Sequence, residues 1–173
     1  MIHGEGRMVF ANGIIYEGEF NCNCIEGKGV LKWRDGSVYQ GEFVNGVRCG
    51  HGVFTNEKER VRYEGNWSSG KREGFGTLIL ADGSRYEGEF LSGVKHGHGK
   101  MMFPSGNFYE GTWKFNKKNG QGLMNWVSHK EIYSGNWTDD YPHGQGNLVW
   151  LEDKGETKVM RNRYSGEFYK GCR

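Results

Sequence analysis

No apolar run in this chain approaches the ~20 residues that cross a membrane as a helix, and no segment reads as a signal peptide. Charge of one sign is not in excess. Lys and Arg number 23 against 21 Asp and Glu, a net charge of +2. A dedicated nucleic-acid binder needs a concentrated positive surface, so that class is excluded. Cysteine is sparse: Cys22, Cys24, Cys49 and Cys172 lack paired C-x-x-C spacing and do not recur regularly. They read as free thiols of a reducing compartment rather than a zinc site. No segment sustains a 3.6-residue period, so no long helix is expected. The polar composition is that of a soluble chain with nothing to address it outside the cytoplasm.

Glycine is present in excess, with 30 residues among 173. Its placement is regular. Tyr-x-Gly-x-Phe/Trp begins at Tyr16, Tyr39, Tyr63, Tyr86, Tyr109, Tyr133 and Tyr164. Gly-x-Gly lies at Gly4/Gly6, Gly27/Gly29, Gly50/Gly52, Gly74/Gly76, Gly97/Gly99, Gly120/Gly122 and Gly144/Gly146. Each Tyr precedes the next Gly-x-Gly by 11 residues, whereas the return to the next Tyr takes 10 or 11 and once 18. One half of the unit is fixed in length and the other takes the insertions. A period near 23 marks a small supersecondary unit in an array. The array divides into a half unit 1–15, units starting at 16, 39, 63, 86, 109 and 133, and a half unit 164–173. Because it starts and stops within a unit, it is expected to continue in a longer chain.

Each unit reads as two short strands of period two. In the first strand Tyr86, Gly88 and Phe90 share one face and Glu87 and Glu89 the other. In the second, apolar pairs such as Leu31/Trp33, Leu78/Leu80 and Met124/Trp126 follow Gly-x-Gly, and only Phe54/Asn56 breaks the pattern. Asp35-Gly36-Ser37, Asp82-Gly83-Ser84 and Ser105-Gly106-Asn107 supply tight turns. The expected fold is all-β: a single-layer, elongated, twisted antiparallel sheet of consecutive hairpins, with glycines seating the rings of neighbouring repeats. Insertions fall at 56–62 and 127–132, and at 151–163, which is expected to be a protruding, mobile loop.

Tyr-Glu-Gly-Glu-Phe, then Gly-x-x-x-x-Gly-x-Gly, then Asp-Gly-Ser before the next Tyr resembles the MORN repeat over the whole chain. The resemblance implies a scaffold that binds partner segments or itself, in some cases at phosphoinositide membranes. The departures from the plain repeat are the extra residue before Tyr63, Gly122–Trp126 with Lys130–Tyr133, and the charged insertion ending at Arg161–Phe168. These resemble the radial spoke head MORN proteins of the ciliary or flagellar axoneme. That implies a cytoskeletal location, with radial spoke head subunits, another MORN protein or a second copy as partners.

The aromatic ladder Tyr39, Phe43, Tyr63, Trp67, Tyr86, Phe90, Tyr109, Trp113, Tyr133 and Trp137 forms most of the core. A one-layer sheet has nothing to cover it, so the row is expected to form a partner-binding groove. Arg48, Lys71, Arg72, Lys95, Lys117 and Lys118 recur before Gly-x-Gly and are expected to line a basic edge. Solubilising loop charge is the favoured reading of that edge, and contact with anionic lipid or an acidic protein surface the alternative. Glu17, Glu19, Glu42, Glu64, Glu87, Glu89 and Glu110 fall on the face opposite the rings, as solvated groups or salt-bridge partners. His51, His96, His98 and His143 sit beside glycine at one repeat slot, held elsewhere by Glu26, Glu73 and Asn119, which disfavours a metal. No catalytic, cofactor-binding or metal residue is expected, and no enzyme activity, because every candidate is a repeat element.

Overall fold

The computed structural model describes residues 1–155 and 157–172; Glu156 in the long insertion and Arg173 in the last half unit lie outside them. Fourteen strands follow one another: β1 (Gly4–Val9), β2 (Ile15–Asn21), β3 (Cys24–Lys32), β4 (Ser37–Val44), β5 (Val47–Asn56), β6 (Val61–Ser68), β7 (Lys71–Ile79), β8 (Arg85–Leu91), β9 (Val94–Met102), β10 (Phe108–Lys114), β11 (Lys117–Trp126), β12 (Glu131–Thr138), β13 (Tyr141–Lys154) and β14 (Thr157–Phe168). Their order in one open sheet is the order of the chain, and no helix occurs among the described residues. Contacts group the chain into a first unit, Met1–Ala81 with Phe90–Gly93, and a second, Asp82–Glu89 with Val94 onward.

The two glycines of Gly-x-Gly do different jobs. The second belongs to a line of glycines facing one another across strands. In the first unit the line runs Gly6, Gly18, Gly29, Gly41, Gly52, Gly65 and Gly76. In the second it runs Gly99, Gly111, Gly122, Gly135, Gly146 and Gly166. The repeat tyrosine lies down on this bare backbone. A Cβ on Gly52 would stand 2.5 Å from Tyr39 Cζ. The tyrosine hydroxyl then donates to the carbonyl three residues on, as Tyr39 does to Glu42 (3.2 Å) and Tyr109 to Thr112 (2.9 Å). The expectation that a neighbouring repeat's ring takes this seat is corrected: the ring belongs to the same hairpin. The neighbour's contribution is a phenylalanine or a tryptophan, and the tryptophan Nε1 donates back to the glycine carbonyl, as Trp67 does to Gly52 (3.1 Å).

The first glycine makes a β-bulge. Pairing of β4 with β5 steps from Gly41↔Gly52 to Glu42↔Cys49, leaving Gly50 at φ +55°. The Glu42 carboxylate caps that bulge by accepting the N–H of His51 at 3.2 Å. Glu19 and Glu89 repeat the cap at Lys28 and His98. These three glutamates are therefore built into the backbone. Others on the same face form cross-strand or same-strand ion pairs, such as Glu17 with Arg7 and Lys32, and Glu110 with Lys100.

The constant 11-residue spacing has a cause. The turn that follows each Tyr-x-Gly strand docks on the preceding hairpin. Gly46 N donates to Ile25 O, Gly70 N to Arg48 O, and Gly93 N to Arg72 O. In the second unit Asn116 N donates to Lys95 O and Asp140 N to Lys118 O. An added residue would break that bond. Among the described residues the Asp-Gly-Ser turns at the other edge make no such backbone-to-backbone tie, and insertions gather at that edge. At 56–62 the odd residue Asn56 is buried and caps the longer turn: its Nδ2 donates to Ser37 Oγ (3.0 Å) and its Oδ1 accepts Glu59 N–H (2.9 Å). At 151–163 the expected loop is instead a hairpin. Beyond a bulge at Trp150, Leu151 pairs with Met160 and the pairing runs out to Lys154↔Thr157. Leu151 N donates to Lys130 O at 2.7 Å, and Lys130 Nζ meets Asp153 at 2.6 Å. The hairpin's charged residues, among those described, lie exposed along the two strands.

Candidate functional site

The ring face carries the candidate site. In the first unit Tyr39 meets Phe43 and Trp67 edge to face at 5.2 and 5.1 Å, and Tyr63 meets Trp67 and Phe90 at 5.2 and 5.1 Å. In the second, Tyr86 meets Trp113 at 5.3 Å, Tyr109 meets Trp113 and Trp137 at 5.1 and 5.2 Å, and Tyr133 meets Trp137 at 5.2 Å. All ten predicted ladder residues are buried within the chain, from 0% exposure at Tyr39 to 7% at Trp67. An uncovered aromatic row is therefore corrected. The glycine line lets each ring lie flat, and flat interlocked rings cover one another without a second layer.

Six basic residues were expected along an edge. Four of them, Arg48, Arg72, Lys95 and Lys118, are folded onto the rings instead. The Arg48 guanidinium lies 4.4 Å from the Trp67 ring centre, 5.5 Å from Tyr39 and 5.7 Å from Trp33. Arg72 lies 5.2 Å from Phe90, Lys95 Nζ 4.2 Å from Trp113, and Lys118 Nζ 4.6 Å from Trp137. A cation over a ring face is held by the ring quadrupole while its stem covers apolar surface. Arg48 Nη2 also donates to Gly70 O (2.7 Å) and Arg72 Nη2 to Gly93 O (2.6 Å). Burial lowers the pKa of Arg48, Arg72 and Lys118. The same burial pushes Tyr39 and Tyr63 up to about 12, against the opposing pull of the nearby arginines. Lys71 and Lys117 alone remain exposed, and Lys117 pairs with Asp139 at 3.2 Å.

The ring face of the first unit carries an open slot of about 330 Å³. Phe54, Val61, Tyr63 and Trp67 wall it, with Arg48 and Arg72 among its lining residues. Phe54 and Val61 escaped sequence reasoning. Phe54 was visible only as the second-strand partner of the misfit Asn56, and Val61 lies in the lengthened turn that opens the slot.

The opposite face differs between the units. In the first it is charged, with Glu5, Glu17, Lys28, Glu42 and His51 around a groove of about 930 Å³. In the second, Gln121, Ser134, Asn136, Gln145, Asn147 and Ser165 line a shallower hollow. Their amides bond to one another: Gln121 Nε2 donates to Asn136 Oδ1 (2.5 Å) and Ser165 Oγ to Asn147 Oδ1 (2.7 Å). The histidines occupy two positions rather than one. His98 and His51 lie between the paired glycines, whereas His96 precedes them and faces Phe115 at 5.7 Å. No cluster of three or more metal-ligating side chains occurs among the described residues.

The family profile of the MORN repeat matches residues 1–15, 16–38, 39–57, 63–85, 86–108, 109–130 and 133–150. Comparison with curated proteins finds no significant match. Among solved structures the chain is similar to the TCP domain of SAS-4 from Drosophila melanogaster, solved in complex with a proline-rich motif of Ana2. Identity is 10%, coverage 91% of this chain and 89% of that one, and the TM-score 0.48. It is also similar to the G-box domain of the microcephaly protein CPAP, at 12% identity, 92% and 99% coverage and a TM-score of 0.36.

Proposed function

This chain belongs to the MORN-repeat family, a non-enzymatic repeat module, and from that premise we propose that it is a structural scaffold of the ciliary or flagellar axoneme that holds neighbouring proteins along its ring face. The coarse assignment, a repeat-based protein-interaction or scaffold module, follows from the family. The finer one is a component of the radial spoke head, similar to radial spoke head protein 10 homolog. It is supported by the departures from the plain repeat: the longer turns at 56–62 and 127–132 and the hairpin at 151–163. The proposed partners are radial spoke head subunits, another MORN protein or a second copy.

The observation that carries the docking reading is the open slot beside ring-stacked cations on the ring face. Partners would engage the rim of the ladder rather than its buried rings. The alternative, an anionic-membrane module that targets an attached domain, draws on the basic residues, four of which are turned onto rings. Expression of the tagged chain in ciliated cells, followed by fractionation, tests the proposal. Retention in detergent-extracted axonemes with spoke proteins is expected. Recovery wholly in the soluble cytosol, or with membranes, would overturn it.

A further inference from the structure

Several cations at exposed positions take carboxylate partners: Arg7 and Lys32 with Glu17, Arg62 with Glu64, Arg85 with Glu87, Lys100 with Glu110, Lys117 with Asp139, and Lys130 with Asp153. Arg48 and Arg72 are half-buried on the ring face, and among the described residues neither has a carboxylate partner. Among the described residues each guanidinium makes one hydrogen bond, from an Nη to a turn carbonyl, and lies over rings, which leaves further N–H donors of each fork without an acceptor. A desolvated cation that lacks a counter-charge is a standing cost that an incoming anion removes. The two arginines sit on β5 and β7, two strands apart, hence about 10 Å along the sheet. Between them lies the apolar slot walled by Phe54, Val61, Tyr63 and Trp67. Its volume of about 330 Å³ admits one large apolar side chain.

From this arrangement we infer that the slot captures an acidic protein segment: one apolar anchor seated on Phe54 and Val61, flanked by two carboxylates that bridge to Arg48 and Arg72. The inference rests on the reading of the ring face as the docking face and names its occupant. A planar guanidinium fork suits a carboxylate, and its stacking on Trp67 or Phe90 keeps the fork in place before the partner arrives. The anchor fixes position and the acids fix register. A basic or uncharged segment with the same anchor gains the apolar contact alone.

A panel of fluorescent peptides tests this on the whole chain. Each carries one Leu, Phe or Trp between either glutamates or glutamines. The glutamate series is expected to bind about tenfold more tightly than the glutamine series, the difference between charged and neutral hydrogen bonds. That preference should weaken in raised salt. Val61→Trp, which fills the slot, is expected to abolish binding of both series. Arg72→Gln, which leaves the Arg48 bridge in place, should remove about half of the glutamate advantage in free-energy terms, roughly threefold in affinity, and it carries the test if the tryptophan variant does not fold. Equal binding of both series, blocked by Val61→Trp, would overturn the charge rule and leave docking on the ring face standing. Absence of binding by any peptide would overturn both. Capture of phosphatidylserine vesicles by the same arginines, with no peptide bound, would assign them to a membrane and overturn the inference.

Discussion

The first and second units solve one problem with different chemistry. Both must place a residue four positions ahead of the bare glycine against the ring ladder and tie it to the turn of the next repeat. In two hairpins of the first unit, after two whose slot holds Ile2 and Ile25, that residue is Arg48 or Arg72 and the turn ends in Gly70 or Gly93, whose carbonyl accepts the guanidinium. In the second it is Lys95 or Lys118 and the turn ends in Asn116 or Asp140. There the side-chain oxygen reaches back to accept the lysine backbone N–H at 2.8 and 2.9 Å. A glycine turn leaves its carbonyl to a side chain, whereas an Asn or Asp turn supplies the acceptor itself. The tie is invariant and its chemistry is not, so the arginine-rich unit has forks to offer a partner where the lysine-rich unit has point charges.

The largest expected effect should ignore this difference. Gly52→Val in the first unit and Gly122→Val in the second drive a Cβ to 2.5 Å from a tyrosine ring carbon. Both are expected to cost about 4 kcal/mol or to abolish folding, seen by circular dichroism and urea titration. If one is tolerated, the glycine line is not the common scaffold. A smaller effect should separate the units. Arg48→Ala removes contact with three rings and a carbonyl bond, and should cost about 2 kcal/mol by urea midpoint. Lys118→Ala removes contact with two rings but also relieves a desolvated charge, so about 1 kcal/mol or less is expected.

Alkaline titration sharpens the same contrast. Tyr39 and Tyr63 have an ordinary value of 10.0 and a folded value of about 12. The folded state holds its proton longer than the unfolded one, so their contribution to stability is intact below pH 10 and falls as pH rises towards 12. Urea midpoints measured across that window should decline. Arg48 pulls Tyr39 down, so Arg48→Gln should delay its tyrosinate absorbance to still higher pH, while Lys118→Gln leaves Tyr39 unchanged. The smallest effect lies at the hairpin tip. Asp153 is solvent-exposed despite its pairing with Lys130, so Asp153→Asn should leave the thermal midpoint where it was.

The repeat, its two strands and its two faces were legible because period two and a fixed 11-residue spacing survive in a single sequence. Which glycine makes the bulge and which seats the ring was not, since both occupy one motif and differ only in φ and in what lies above them. The ladder residues were identified as core, but not that they would be covered without loops or a partner. A sequence shows that a ring faces outward from a sheet, not that it lies down. Arg48 and Lys118 looked like loop charge because their stems reach sideways to rings on the next strands. The 151–163 hairpin was hidden by its charge, which cross-strand pairing and the Lys130–Asp153 contact accommodate.

The turn-to-hairpin tie has a kinetic consequence. Gly70 reaches back to Arg48 and Asp140 to Lys118, each 22 residues away, and strands that pair are neighbours in the chain. Sheet proteins usually fold slowly because distant segments must meet before any contact rewards them. Here no segment waits for a distant one. Each hairpin finds its docking carbonyl already in place on the hairpin made before it, so the sheet can grow in the order in which the ribosome delivers it, at a pace closer to that of a helical bundle.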